Sequence, residues 1–134
     1  MIYLDTNVLV YATIDQSIQK KDQSINLLKQ LVNDGMLNIS SLVLQEYSYT
    51  LAKLKIPSSI IFSDILFYSQ FSYPVTMELF LSASELCSQL TYYKNINDVI
   101  HLKYAEKYCS KLITFDTDFE RLKQYTPLSI EILK

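Results

Sequence analysis

Short apolar segments alternate with longer helical segments along this chain, and this alternation restricts its fold more than any other feature. The predicted strands are MIYL at 1–4, MLNIS at 36–40, SYPVT at 72–76, KLITF at 111–115 and PLSIEIL at 127–133. Strands that alternate with helices pair in parallel, because each helix returns the chain to the end of the sheet from which the next strand starts. The pattern therefore predicts an α/β domain with a parallel sheet.

The segments between these strands repeat apolar residues at helical spacing. The predicted helices run from about Lys20 to Val32, from Ser40 or Ser41 to about 54, from Pro57 to 70, from Thr76 to 90, and through NINDVIHLKYAEKYCS at 95–110. Gly35 is expected to end the first of them, since glycine readily takes up the left-handed backbone of a helix end. The second helix carries Glu46 on the same face as Val43 and Tyr47, where an unpaired acid is costly.

Length, cysteine content and hydropathy limit the class of protein. A chain of 134 residues with one glycine is expected to form one domain, 1–134. The stretch MIYLDTNVLVYAT is predicted to be a buried strand and not a secretory signal, because it has no basic start and contains Asp5. No apolar run approaches the roughly 20 residues of a membrane span. Cys87 and Cys109 cannot form a disulfide scaffold, so we expect a cytoplasmic protein without a membrane partner.

The net charge neither recommends nor excludes a nucleic-acid substrate. The formal charge is −2, with 12 basic and 14 acidic residues. If four acids lie in a metal site, ten remain against twelve basic residues, and the rest of the surface is slightly basic. The chain has a single arginine, so lysines must make any phosphate contacts as point charges. The candidates are Lys20, Lys21, Lys53, Lys55 and Lys94.

Four acids are predicted to meet at one edge of the sheet. Asp5 ends the first strand, Glu46 lies in the helix after the second, Asp98 opens the helix before the fourth, and Asp116 follows the fourth. In parallel sheets, ligands collect beyond the carboxyl ends of the strands. Carboxylates without His or Cys ligands favour Mg²⁺ or Mn²⁺, which can activate a water and stabilise charge on a phosphoryl oxygen. The arrangement suits hydrolysis of a phosphodiester.

Each acid taken alone also has an ordinary explanation. Asp5 and Asp116 could simply cap helices, Glu46 could lie on a solvated face, and Asp98 could be favoured by a helix dipole. His101, one turn after Asp98, could be a general base, but we favour a packed or supporting role. The joint arrangement of the four acids favours the functional interpretation.

Three stretches resemble the motifs of the PIN-domain nucleases, and most closely those of the VapC-type toxins. They are MIYLDTNVLVYA, SSLVLQEYSYTL and NDVIHLKYAEKYCSKLITFDTDF. The resemblance covers nearly the whole chain. It implies a three-layer α/β/α fold with a mainly parallel sheet of about five strands. It also implies a metal-dependent endoribonuclease, with RNA as substrate, that forms a toxin–antitoxin pair with a protein antitoxin.

The resemblance also assigns roles to individual residues. Asp5, Glu46, Asp98 and Asp116 match the four catalytic, metal-binding acids of the family, and the metal is expected to be Mg²⁺ or Mn²⁺. Three further residues, Thr6, Asn7 and Thr114, match polar residues that support the site, with Thr6 and Asn7 orienting Asp5.

The role of Asp118 stays open. It could bind a second metal through water, or it could only cap the short helix DFERL.

Two further features have alternative interpretations. The apolar stretch from Ile60 to Tyr73 is predicted to be core, or a surface for a homodimer or an antitoxin. Some of the eleven tyrosines could stack on bases, although most are expected to pack.

The competing functions are an RNA-processing or housekeeping nuclease and a binding module without turnover. A phosphate-transfer enzyme of the haloacid dehalogenase type is disfavoured, because Glu120 follows the late Asp-Thr-Asp where that class needs Thr or Val.

Overall fold

Five parallel strands form the sheet. The computed structural model describes all residues from Met1 to Lys134. The strands are β1 (Ile2–Leu4), β2 (Leu37–Ser40), β3 (Ser72–Tyr73), β4 (Lys111–Thr114) and β5 (Ser129–Ile132). They lie in the order β3-β2-β1-β4-β5, and every neighbouring pair is parallel. The predicted α/β fold with a five-stranded parallel sheet is confirmed.

Six α-helices connect the strands. They are α1 (Thr6–Thr13), α2 (Ile18–Asn33), α3 (Ser41–Lys53), α4 (Ser58–Ser69), α5 (Met77–Leu90) and α6 (Ile96–Tyr108), with 3₁₀ segments at Tyr93–Asn95 and Thr117–Tyr125. The side chain of Ser40 caps α3, and that of Thr76 caps α5. Gly35 follows α2 with a φ of 65°, as predicted for a residue that ends a helix.

The strand predicted at 1–4 is confirmed, since β1 ends at Leu4. The interpretation of the whole stretch MIYLDTNVLVYAT as a buried strand was wrong, because Thr6–Thr13 is a helix. Asp5 caps this helix, and its carboxylate accepts a hydrogen bond from the Thr6 amide at 2.7 Å. The apolar run that follows is buried at Val8 and Leu9, and a short buried run does not distinguish a strand from a helix by periodicity.

The order of the strands places helices on both faces of the sheet. From β1 the chain passes outward through β2 to β3, with α1 to α4 packed among themselves along this path. It then returns past β1 to β4, and α5 packs against α6 on that return. Because such crossovers are right-handed, the reversal of direction puts the second helix group on the opposite face, which gives three layers. Between β1 and β4 lies the point of reversal, where parallel sheets bind ligands.

The buried apolar residues form one cluster that includes Tyr3, Leu9, Tyr47 and Phe119. Phe119 packs the 3₁₀ segment onto this core. The helix α4 differs from the others, because none of its residues is buried. Phe62 and Leu66 on this helix are 63% and 55% exposed. The predicted stretch Ile60–Tyr73 is therefore mainly surface and only its partly buried side chains reach the core.

Candidate metal centre

A cleft opens at the carboxyl edge of the sheet, at the point of reversal between β1 and β4. Its volume is about 490 Å³, and it is lined mostly by polar residues. The four acids predicted from sequence, Asp5, Glu46, Asp98 and Asp116, all line it. They come from the end of β1, from α3, from the start of α6 and from the residues after β4. Residues up to 111 positions apart in sequence thus meet in one cleft.

Asp5 is held by hydrogen bonds on both carboxylate oxygens. Oδ1 accepts from the Thr6 amide at 2.7 Å, and Oδ2 accepts from the Thr114 hydroxyl at 2.7 Å and the Asn7 amide at 3.3 Å. Only 6% of the residue is exposed. Its burial would disfavour the charge without these donors, which orient the carboxylate toward the cleft.

Thr114 and Asn7 also connect Asp5 to the segment that carries Asp116. The Thr114 hydroxyl donates to Asp5 and accepts from the amide of Asp116 at 2.9 Å. Asn7 accepts from the amide of Phe115 at 3.1 Å through Oδ1. The start of α1 is thereby fastened to the end of β4, and the two acids share a common support.

Glu46 is positioned by three donors from different parts of the chain. Oε1 accepts from the Thr6 hydroxyl at 2.5 Å and from Nε2 of His101 at 2.8 Å, and Oε2 accepts from Asn97 at 3.0 Å. The three sequence-predicted supporting residues, Thr6, Asn7 and Thr114, thus contact the acids directly. Thr6 contacts two of them, because it offers its amide to Asp5 and its hydroxyl to Glu46.

His101 is buried and belongs to a chain of hydrogen bonds that leads into the core. Its Nδ1 lies within hydrogen-bond distance of the Tyr3 hydroxyl, which also pairs with the Ser40 hydroxyl at 2.9 Å. A carboxylate only accepts, so Nε2 carries the proton toward Glu46. Burial lowers the pKa of His101, but the carboxylates of Asp5, Glu46 and Asp98 raise it by more. Nδ1 donates to Tyr3 in the charged ring and accepts from Tyr3 in the neutral ring. The side chain is 1% exposed and fixes Glu46 in place.

The acids in and beside the cleft fall into two groups. Asp5 and Glu46 lie with His101 in one, and Asp98, Asp116 and Asp118 lie in the other, with the ligand-type atoms of each group within 4.8 Å of one another. Within the second group, the carboxylate of Asp116 accepts a hydrogen bond from the amide of Asp118 at 2.8 Å. Asp116 therefore caps the following 3₁₀ segment, a role that the sequence allowed for both Asp116 and Asp118.

The protonation of the acids follows from burial and mutual repulsion. Burial and the neighbouring charges of Asp5 and Asp116 raise the pKa of Asp98 to about 7. Burial also raises the pKa of Asp5, against the lowering effects of His101 and Thr114. The pKa of Glu46 is lowered, because the bonds from His101, Thr6 and Asn97 together outweigh its burial.

The residues of the cleft fit a hard divalent cation. Such an ion takes oxygen ligands, keeps several waters and offsets the repulsion that raises the pKa of Asp98. Carboxylates dominate both groups, and the one imidazole is already bonded through Nε2 to Glu46 and through Nδ1 to Tyr3. A softer site would need Cys or free His ligands, and Cys87 and Cys109 line no part of this cleft.

The sequence interpretation missed several residues of the cleft. Asn97 donates to Glu46, and Tyr11 and Tyr49 line the walls. Asn97 directly precedes Asp98, which is a usable signal, since a polar residue one place before a candidate ligand lies at the same helix start. Tyr11 was missed because the stretch that contains it was not recognised as a helix. Tyr49 lies in a helix that was predicted, but nothing in the sequence distinguished it from the other tyrosines.

Comparisons with known proteins agree with this geometry. The PIN domain family matches residues 2–125. Among solved structures, a chain of VapBC2 from Rickettsia felis bound to a DNA fragment from its promoter is 26% identical, with a TM-score of 0.68 and 100% of each chain covered. A chain of FitAcB from Neisseria gonorrhoeae is 14% identical, with a TM-score of 0.66. The match covers 98% of this chain and 96% of the FitAcB chain, and at this identity it shows only that the fold is shared.

The sequence matches no curated protein. No helix has both the length and the apolar character needed to cross a membrane. The family match extends over nearly the whole chain, and the parallel sheet and the acidic cleft at its carboxyl edge agree with it. The chain belongs to the PIN domain family.

Proposed function

We propose that this protein is a divalent-metal-dependent endoribonuclease and the toxin of a type II toxin–antitoxin pair. The observation that carries the proposal is the meeting of Asp5, Glu46, Asp98 and Asp116 in one polar cleft of a PIN-domain chain. Four carboxylates at such a place repel one another unless a cation joins them. Residues 1–134 would act as a single nuclease domain, which the single apolar core supports.

The four acids would hold Mg²⁺ or Mn²⁺, and Thr6, Asn7 and Thr114 would keep the carboxylates in position. When bound, the ion supplies an activated water and stabilises the charge that develops on the phosphoryl oxygen. Asp98 lies close enough to both groups of acids that Asp5 from the first and Asp116 from the second raise its pKa. We propose it as a ligand whose loss abolishes activity.

The proposed partners are a protein antitoxin and a second copy of this chain. The likeness to VapBC2 extends over the full length of both chains at 26% identity, which supports a VapC-type toxin with an antitoxin partner. The apolar side chains exposed on α4 supply a surface for either partner. A cytoplasmic location is part of the proposal, because both cysteines are free.

Cleavage of structured RNA tests the proposal. The purified protein should cut RNA with Mg²⁺ or Mn²⁺ and lose this activity in EDTA. Asp5→Asn and Asp98→Asn should each reduce the rate at least about a hundredfold, since each removes a ligand charge. Glu120→Gln is the matched control, because Glu120 is an exposed acid near Asp116 that lies outside the acidic cleft. Cleavage by Asp98→Asn at the wild-type rate would refute the assignment.

Two alternatives lead to different results. A housekeeping or RNA-processing nuclease would cut RNA without arresting growth on expression, whereas a toxin would arrest growth until its antitoxin is co-expressed. A small DNA-binding reading frame directly upstream of the gene would favour the toxin. A PIN-fold binding module would bind RNA with no turnover under any metal.

A further inference from the structure

Two lysine–tyrosine pairs border the acidic cleft, one from α1 and α2 and the other from α3. In the first, Nζ of Lys20 lies 4.9 Å from the ring centroid of Tyr11. In the second, Nζ of Lys53 lies 5.4 Å from the ring centroid of Tyr49. Both tyrosines line the cleft, so each pair places a cation and an aromatic ring at its rim.

The first pair is tied to the segment that carries Asp116. Nζ of Lys20 also lies 5.3 Å from the ring centroid of Phe115, and the rings of Phe115 and Tyr11 meet edge to face at 5.1 Å. Phe115 directly precedes Asp116 in the chain. Two rings therefore contact the ammonium of Lys20, and one of them belongs to the residue that directly precedes Asp116.

Helix stability does not explain the position of Lys20. It lies in the first turn of α2, where the helix dipole disfavours a positive charge. Its ammonium is absent from the ion pairs of the protein, whereas its neighbour Lys21 pairs with Asp15 at 2.5 Å. Lys20 also lines a second cleft of about 590 Å³ together with Lys123, Lys134 and Glu120. Lys123 pairs there with Glu120 at 3.0 Å, whereas Lys20 has no acidic partner.

The second pair continues the stripe of α3 that carries Glu46. Tyr49 and Lys53 follow Glu46 by three and seven residues, so the three side chains lie on one face of the helix. Tyr49 is 65% exposed, although it borders a cleft and large aromatic side chains usually pack. An exposed ring beside a cation is the combination on which single-stranded nucleic acids stack.

We propose that an RNA strand crosses the metal centre between these two pairs, with Lys20 and Lys53 on phosphates at either side of the cleaved bond and Tyr49 stacked on a base. This inference rests on the proposed ribonuclease function and specifies how the substrate is held. The acidic cleft repels a polyanion by itself, and two fixed cations at its rim offset that repulsion. Lysine contacts to phosphate carry no base preference, so the pairs set the path of the strand and not its sequence.

The test measures RNA binding and its salt dependence for Lys20→Gln and Lys53→Gln, by fluorescence anisotropy with a short single-stranded RNA in Ca²⁺. Each variant should bind about three- to tenfold more weakly, and the slope of log K against log salt should fall by about 0.7 for each lost phosphate contact. Tyr49→Leu should weaken binding by a similar factor without changing the slope, because stacking releases no counterions.

Lys107→Gln is the matched control. Nζ of Lys107 lies 5.4 Å from the ring of Tyr108 in the last turn of α6, as Lys53 does beside Tyr49 in the last turn of α3. The last turn of α6 leads into the start of β4, at the opposite end of the sheet from the cleft. This variant removes the same charge and the same kind of contact, and it should leave both affinity and slope unchanged.

Failure of this inference is distinguishable from failure of the proposed function. Wild-type cleavage of RNA, with Lys20→Gln and Lys53→Gln both matching Lys107→Gln in affinity and slope, would overturn the path and leave the nuclease intact. A wild type that neither cuts nor binds RNA would overturn both. Lys→Arg at either position keeps the charge and should retain the wild-type slope, which excludes a merely structural effect.

Discussion

Nε2 of His101 lies 2.8 Å from Oε1 of Glu46 and 3.6 Å from Oδ1 of Asp5. One imidazole nitrogen therefore lies close to the carboxylates of two acids of the candidate metal centre. Its other nitrogen is held by the Tyr3 hydroxyl, which pairs in turn with Ser40. This chain of contacts passes from the end of β2 through β1 to α6 and α3. It explains how a histidine can matter to the site without binding the metal.

Replacing His101 by alanine should weaken metal binding more than it weakens the fold. Glu46 would lose the donor that orients its carboxylate, and losses of this kind typically cost about 10- to 100-fold in metal affinity. His101→Gln should recover part of the loss, because its amide nitrogen can still donate to Glu46. Titration calorimetry with Mn²⁺ measures the affinity. Equal affinity of His101→Ala and the wild type would show that His101 only fills the core.

Asp98→Asn should stabilise the metal-free protein at pH 8. The folded-state pKa of Asp98 is about 7, above the ordinary value of about 3.9, so the folded chain keeps a proton that the unfolded chain releases between these values. The charge of Asp98 thus lowers stability increasingly from about pH 4 to pH 7 and fully above pH 7. Since the group is partly exposed, the gain should be on the order of 1 kcal/mol, or a few degrees in Tm.

Added Mg²⁺ should make the wild type more stable than Asp98→Asn, the reverse of their order without metal. The wild type should gain about 2.7 kcal/mol at a hundredfold excess of metal over Kd, whereas Asp98→Asn should gain little. Thermal unfolding in EDTA and in Mg²⁺, at pH 5 and pH 8, provides the comparison. At pH 5 the advantage of the variant in EDTA should largely disappear. A variant less stable than the wild type in EDTA at pH 8 would contradict the assigned repulsion.

Thr114→Val should lower metal affinity about tenfold. Its hydroxyl donates to Asp5 at 2.7 Å and accepts from the amide of Asp116 at 2.9 Å and from the side chain of Asn7 at 3.3 Å. Valine removes all three contacts at nearly constant volume. The buried Asp5 oxygen loses its shortest side-chain donor, which should cost about 1–3 kcal/mol of unfolding free energy. Thr114→Ser keeps the hydroxyl and should retain near-normal affinity in the same calorimetric titration. If valine and serine behave alike, the hydroxyl has no part in the site.

The sequence predicted the strands better than it predicted the supports of the site. Four strands are short apolar runs, so alternation located them, and the acids at strand ends followed from the rule for parallel sheets. The strand predicted at 72–76 was too long, because pairing with β2 stops at Tyr73, directly before Pro74. The helix Thr6–Thr13 was missed because its valines and leucine are equally typical of a buried strand. The helix begins at Thr6, where the side chain of Asp5 caps it through a hydrogen bond from the Thr6 amide.

The division of the acids into two groups was beyond the reach of the sequence. It depends on the distance between α6 and the residues after β4, which is set by packing across the sheet and not by spacing along the chain. The partnership of His101 with Tyr3 and Ser40 has the same origin, since these residues lie 98 and 61 positions from His101. Order along the chain identified the acids, and only the fold shows which of them share a support.

Asp118→Asn should reduce activity far less than Asp116→Asn. Asp116 is partly buried in the cleft, whereas Asp118 is exposed and does not line it. Asp116→Asn removes a charge from the centre, although asparagine keeps the capping oxygen that holds the amide of Asp118. We expect a loss of at least about a hundredfold for Asp116→Asn and less than tenfold for Asp118→Asn in initial rates of RNA cleavage. Comparable losses would indicate that Asp118 also binds a metal.

Charge placed on α4 should separate the proposed homodimer. Phe62 and Leu66 lie one turn apart and are 63% and 55% exposed, on a helix that buries no residue of its own. Phe62→Glu with Leu66→Glu should raise the dimer dissociation constant at least about thirtyfold, the effect of losing about 2 kcal/mol of contact energy. Light scattering after gel filtration measures the mass.

Met77→Glu with Leu81→Glu is the matched control, because these side chains have the same spacing on α5 and are 70% and 58% exposed. The α4 variant should elute as a monomer and the α5 variant as a dimer, both with wild-type metal affinity. Dissociation by the α5 pair alone would move the interface to α5, and a monomeric wild type would exclude the homodimer.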